Sequence, residues 1–158
     1  MENVTLIKEG FQFSKFAKER LIICIRFTCM FLFLYTAHAK IVDHDRFLRG
    51  LSKVHLLGGF AIYISWLVPI LEILTFILML IPQTAKWGLY AFISLMTLFT
   101  GYIFSALLWE KNLPCHCGGA IEKLSWTQHV WFNLAFIFLA IFALWLTNSK
   151  YILKKQKK

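Results

Sequence analysis

The sequence predicts an all-α integral membrane protein: a bundle of four transmembrane helices with both termini in the cytoplasm. Three observations carry this. Hydrophobic residues make up 59% of the 158 and charged residues 16%, against about 45–50% and 25% in soluble domains. A chain this short has too little interior to hide that much apolar surface from water. The apolar residues gather into four runs, each near the ~20 residues that a helix needs to cross the hydrocarbon core. The basic residues gather outside those runs.

The chain opens on a basic tail, residues 1–20. Phe11, Phe13 and Phe16 alternate there with Lys15, Lys18 and Arg20, which fits either an interfacial amphipathic helix or an ordinary basic flank. No cleavable signal peptide is evident, since the first apolar run is long enough to span. The membrane domain covers 21–148. Its first span is "LIICIRFTCMFLFLYTAHA", 21–39, and its second is "LLGGFAIYISWLVPILEILTFILMLI", 56–81. The third is "WGLYAFISLMTLFTGYIFSALLW", 87–109, and the fourth is "HVWFNLAFIFLAIFALWLT", 129–147. Pro82 closes the second span and Asn148 follows the fourth. A basic tail, 149–158, ends the chain on "KKQKK".

Four spans put both termini on one side. That side holds ten lysines and arginines outside the spans and the other holds six. The positive-inside rule therefore places the termini in the cytoplasm and the loops 40–55 and 110–128 outside it. A multi-pass protein of a bacterial inner membrane, with the lipid bilayer as its solvent, is the expectation. The formal charge of +9 serves topology in this reading. Nucleic-acid binding is not expected, because no basic patch on a polar fold carries the charge.

The stretch "LPCHCGG", 113–119, departs from its surroundings. Cys115 and Cys117 lie one residue apart in an extracytoplasmic loop, where disulfides form and persist. A bridge between them requires a tight backbone, which Pro114, Gly118 and Gly119 suit. So small a ring is strained, and strain makes a disulfide exchangeable. His116, when protonated, favours a neighbouring thiolate. The candidate catalytic set is therefore Cys115, His116 and Cys117. A static staple gains little from so short a loop. A metal site could draw on the same three residues with His38, His44, His55 or His129, but Cys-x-Cys is not structural zinc spacing. No metal and no cofactor are expected.

Cys24 and Cys29 lie in the cytoplasmic half of the first span, five residues apart and not on one helix face. They read as small core residues. They are too far from Cys115 and Cys117 for a thiol relay, so electrons must pass to or from a partner protein or a quinone.

Two charges stand inside the spans. Arg26 and Glu72 are costly in the bilayer unless paired or wetted. Counted from the cytoplasmic ends of their spans they differ in depth by about 7 Å, which a long Arg side chain largely closes. The expectation is a buried Arg26–Glu72 pair, as a register device or as a proton or substrate site. Pro69, three residues before Glu72, frees a backbone carbonyl there. The outer loop "KIVDHDRFLRGLSKVH" spaces Phe47, Leu48 and Leu51 for a short surface helix over the bundle; a solvated charged loop is the alternative.

These elements together resemble the MauE-type proteins of the broader DoxX-like membrane group. The matching stretches are "RFTCMFLFLYTAHAK" at 26–40, "DHDRF" at 43–47, "WLVPILEIL" at 66–74, "CHCGG" at 115–119 and "LSWTQHVWFN" at 124–133. The Cys-x-Cys-Gly element is the most specific of them. The resemblance implies a four-helix membrane protein that assists disulfide formation or maturation of an exported protein or peptide, together with a thioredoxin-like periplasmic protein. In methylamine-utilising bacteria the exported partner is the disulfide-rich small subunit of methylamine dehydrogenase. The DoxX group is also similar in layout to the vitamin K epoxide reductase bundle, which uses a Cys-x-x-Cys beside a quinone pocket. The absence of that motif here argues against self-contained quinone-linked oxidation. The alternative of another class is a non-enzymatic membrane scaffold or anchor subunit of an envelope complex.

Overall fold

In lipid a chain must satisfy its backbone hydrogen bonds within itself, and a helix does so residue by residue. The apolar runs accordingly fold as helices. The computed structural model describes residues 15–52, 58–109 and 125–155. Its elements are α1 (Lys15–Val42), α2 (His44–Ser52), a 3-10 turn (Gly58–Phe60), α3 (Ala61–Leu80), α4 (Ala85–Trp109) and α5 (Trp126–Lys155). Four of the helices are long and apolar enough to cross a membrane: α1, α3, α4 and α5. No strand occurs among the described residues. The fold class is that expected.

The boundaries follow local chemistry. Pro82 excludes the helical conformation from the residue before it, and Ile81 is extended, with φ −82° and ψ 120°. Thr84 anchors the short turn that follows, its Oγ1 donating to the Leu78 carbonyl at 2.8 Å. At the start of α5, Ser125 and Gln128 form a capping box. The Ser125 N–H donates to Gln128 Oε1 at 2.8 Å, and the Gln128 N–H to Ser125 Oγ at 3.3 Å. The second span is shorter than the sequence suggests. The helix begins at Ala61, because Gly58, Gly59 and Phe60 make the 3-10 turn instead. α1, by contrast, runs 28 residues, or about 42 Å, well beyond the ~30 Å core.

The four long helices form a ring in which α1 and α4 each pack against both α3 and α5. Neighbours in sequence run antiparallel. Their interior is one apolar cluster that includes Cys29, Met30 and Phe33 of α1, Met79 of α3, Phe92 and Met96 of α4, and Ala140 and Ala143 of α5. The outward faces carry Phe31, Leu98 and Phe138, all exposed, as a lipid-facing surface must. Exposed Trp87 and Trp145 mark the end that holds the helix termini of α1 and α5; exposed Tyr63, Trp66 and Trp131 mark the opposite end. Aromatic rings of this kind favour the headgroup level. Trp131 and Trp145 are 14 residues apart on one helix, about 21 Å, consistent with two interfaces.

The loop between α1 and α3 does contain a helix. α2 buries Phe47, Gly50 and Leu51 against Ala61, Ile64, Val68 and Tyr102, and it closes the end of the bundle opposite the termini.

Gly88 permits the close approach of α3 and α4. A Cβ there would stand 2.6 Å from Met79 Cγ and 2.7 Å from the Met79 backbone nitrogen. The backbone cannot yield as a side chain can. Gly88→Ala is expected to cost about 1–3 kcal/mol by overpacking, read as a lowered melting temperature in detergent. Gly101→Ala, with open space around its Cβ position, is the control.

Candidate functional site

Thr36 and Lys40 stand one turn apart on the face of α1 that meets α3, the i and i+4 positions of a helix. Glu72 of α3 lies opposite them. Lys40 Nζ donates to Glu72 Oε1 at 2.6 Å, and Thr36 Oγ1 donates to the same oxygen at 3.1 Å. The Lys40 side chain is 12% exposed and that of Glu72 1%. The ammonium also lies 5.8 Å from the Phe47 ring centroid and 5.4 Å from that of Phe99, within cation–π range. One cation thus ties α1 to α2, α3 and α4 near the α2 end.

This corrects the expected partner. Arg26 does not pair with Glu72; Lys40 does. Since Thr36 is level with Glu72, Arg26 lies ten residues away along α1, about 15 Å, farther than its side chain reaches. The depth count from the sequence failed because α1 begins at Lys15 and overshoots α3. Arg26 is instead level with the α3–α4 turn. Its Nε is buried without a hydrogen-bond partner, and its guanidinium carbon sits 6.0 Å from the Phe27 ring centroid. Lys40 escaped notice as a partner because it follows the apolar run and reads as a loop charge. The available signal was its spacing of four from Thr36.

A second polar contact pins α2. His44 Nε2 is 3.0 Å from Ser65 Oγ, and the Ser65 hydroxyl donates to the Ile62 carbonyl at 2.8 Å. With the Ser65 proton on the Ile62 carbonyl, the tautomer of His44 that carries hydrogen on Nε2 completes the contact. The imidazole stacks on Trp66 with centroids 4.3 Å apart. Pro69 lies one turn beyond Ser65, inside the continuous α3 and buried. It has no N–H to give to the Ser65 carbonyl.

Cys29 is fully buried in the core as expected, but Cys24 is exposed and is not a core residue; five residues apart, the two face different ways. Pro114, Cys115, His116, Cys117, Gly118 and Gly119 lie outside the described residues. Their tethers do not. α4 ends at Trp109 and α5 starts at Trp126, both at the α2 end. Cys115 is six residues past Trp109, within about 20 Å of chain. In sequence the cysteine stretch lies between two helix ends on the same side of the bundle as Lys40, His44 and Ser65.

A family model described as methylamine utilisation protein MauE matches residues 18–146. That stretch contains the greater part of all four spans, α2, the Lys40–Glu72 pair and the Cys-x-Cys element. No curated protein and no solved structure matches the chain.

Proposed function

Because the chain belongs to the methylamine utilisation protein MauE family, a family of multi-pass membrane proteins, we propose that it is a thiol–disulfide component of the bacterial inner membrane. Cys115 and Cys117 exchange with a thioredoxin-like protein outside the cytoplasm and so support disulfide formation or maturation of an exported protein or peptide. The observation that carries this reading is the family match over residues 18–146, a stretch that includes the Cys-x-Cys element.

The exchange balances without a cofactor. A thiolate attacks one sulfur of the partner's disulfide, giving a mixed disulfide and a partner thiolate. The second cysteine attacks its neighbour's sulfur, closing the Cys115–Cys117 bond and releasing the partner as a dithiol. Two electrons and two protons pass to the partner, and the reverse sequence returns them. His116 favours the attacking thiolate. His116→Ala slows the exchange and leaves the bundle folded.

Two measurements test the proposal. In reduced, intact spheroplasts a membrane-impermeant thiol reagent should label Cys115, and should not label a cysteine substituted at Lys154. Labelling at the C-tail would invert the orientation and remove the oxidising compartment. A redox titration with free thiols counted by mass should show the pair reduced more readily than structural disulfides, which lie below about −300 mV. A pair that stays reduced under oxidising conditions, or that holds a stoichiometric metal, would sink the exchange reading and leave a scaffold or metal role.

A further inference from the structure

The Lys40–Glu72 contact leaves one carboxyl oxygen unused. Oε1 accepts from Lys40 and Thr36, while Oε2 is buried and has no hydrogen-bond partner. A carboxylate offers lone pairs on both oxygens, and a buried orphan of this kind calls for a water, an ion or a function. A second polar residue lies at the same level. Phe33 and Phe92 have ring centroids 4.4 Å apart, and Phe92 and Phe136 6.5 Å, so α1, α4 and α5 meet in one aromatic layer. Thr36 lies three residues from Phe33 toward the α2 end. Asn133 lies three residues from Phe136 in the same direction, because α5 starts at that end. Asn133 is a buried polar residue, 8% exposed.

We infer that Glu72, Thr36 and Asn133 hold an internal water site that communicates with the α2 end only. The charge already balances, Lys40 against Glu72. The missing group is therefore a neutral hydrogen-bond donor and not a cation. Water fits, because Oε2 accepts from it and the Asn133 amide can both give and take. Sidedness follows from the neighbouring layers. Beyond the site toward the termini stand buried Phe33 and Phe92, then Cys29, Met79 and Leu89, an apolar interior that stays dry. Toward the α2 end stand Lys40, Ser65 and His44. The titratable groups on the surrounding elements are Lys40 of α1, His44 of α2, Tyr102 of α4 and His129 of α5. Water so placed gives Glu72 a path to exchange a proton with the α2-side solution and none to the other side. The inference stands apart from the thiol reading and survives its failure.

Water-edited solid-state NMR of the full chain in lipid bilayers tests it. With Glu2, Glu9, Glu19, Glu110 and Glu122 changed to Gln, Glu72 is the sole labelled glutamate. Magnetisation from water should reach its carboxyl carbon several-fold faster than the Met79 methyl. Asn133→Leu, which fills the space with an apolar group, should slow the transfer about threefold or more, whereas Asn133→Ala, which keeps the space, should not. Transfer to Glu72 as slow as that to a dry Met79 would overturn the water site, and that comparison needs no variant at 133. Equal, fast transfer to both would overturn the one-sided access.

Discussion

Glu72→Ala and Lys40→Ala should each remove most of the assembled protein from the membrane. Both charges sit where water is scarce, and each is the other's compensation. Removing one partner of a buried pair costs about 3–5 kcal/mol because the survivor keeps its desolvation penalty. That is comparable to much of the net stability of a small domain. Lys40→Ala should be the worse of the two. It strands a carboxylate that is 1% exposed, whereas Glu72→Ala strands an ammonium that is 12% exposed, on a stem long enough to snorkel toward the interface. Lys40 also keeps the Phe47 and Phe99 rings. The double change Lys40→Leu, Glu72→Leu should recover part of the loss, since apolar replacement of a buried pair is often tolerated. Arg26→Ala should cost least, because Arg26 has no ionic partner among the described residues to strand. The measurement is the yield of monodisperse full-length protein, extracted in mild detergent. If Arg26→Ala proved as damaging as Lys40→Ala, the assignment of the pair would be wrong.

That revision shows which level of structure was legible. The four spans were, because ~20-residue apolar runs have one stable form in lipid. So was the α2 pattern, since Phe47, Leu48 and Leu51 recur at helical spacing. Helix ends were not. The start of α3 depends on Gly58 and Gly59 making a 3-10 turn, and the length of α1 depends on a basic segment that composition assigns to a tail. Partner choice inherits those errors. An offset of six residues at the start of α1 displaces Arg26 by about 9 Å, enough to exchange Lys40 for Arg26 as the partner of Glu72. The capping role of Ser125 and Gln128 was readable as an S-x-x-Q pattern. The burial of Asn133 was not, because it depends on which helices face each other.

The cysteine pair gives the other large effect. If the two thiols exchange through a mixed disulfide, removing the resolving cysteine should turn a transient species into a stable one. Removing the attacking cysteine should abolish it. We expect Cys117 to attack. Gly118 and Gly119 follow it in sequence and bring no side chain beside it. It is also the nearer of the two to the amino end of α5, where unsatisfied N–H groups favour a thiolate. Cys115→Ser should then accumulate a covalent adduct with a thioredoxin-like protein, seen as a reducible band on a non-reducing gel and identified by mass. Cys117→Ser should give none. Because both residues lie between helices, neither substitution touches the apolar cluster that holds the bundle together. Each variant should assemble at the native level, which separates loss of chemistry from loss of fold. Trapping through Cys117→Ser alone would reverse the roles of the two thiols. Failure of both variants to trap, with both assembled and their thiols titrating normally, would leave the Cys-x-Cys as a local staple and the bundle as a scaffold.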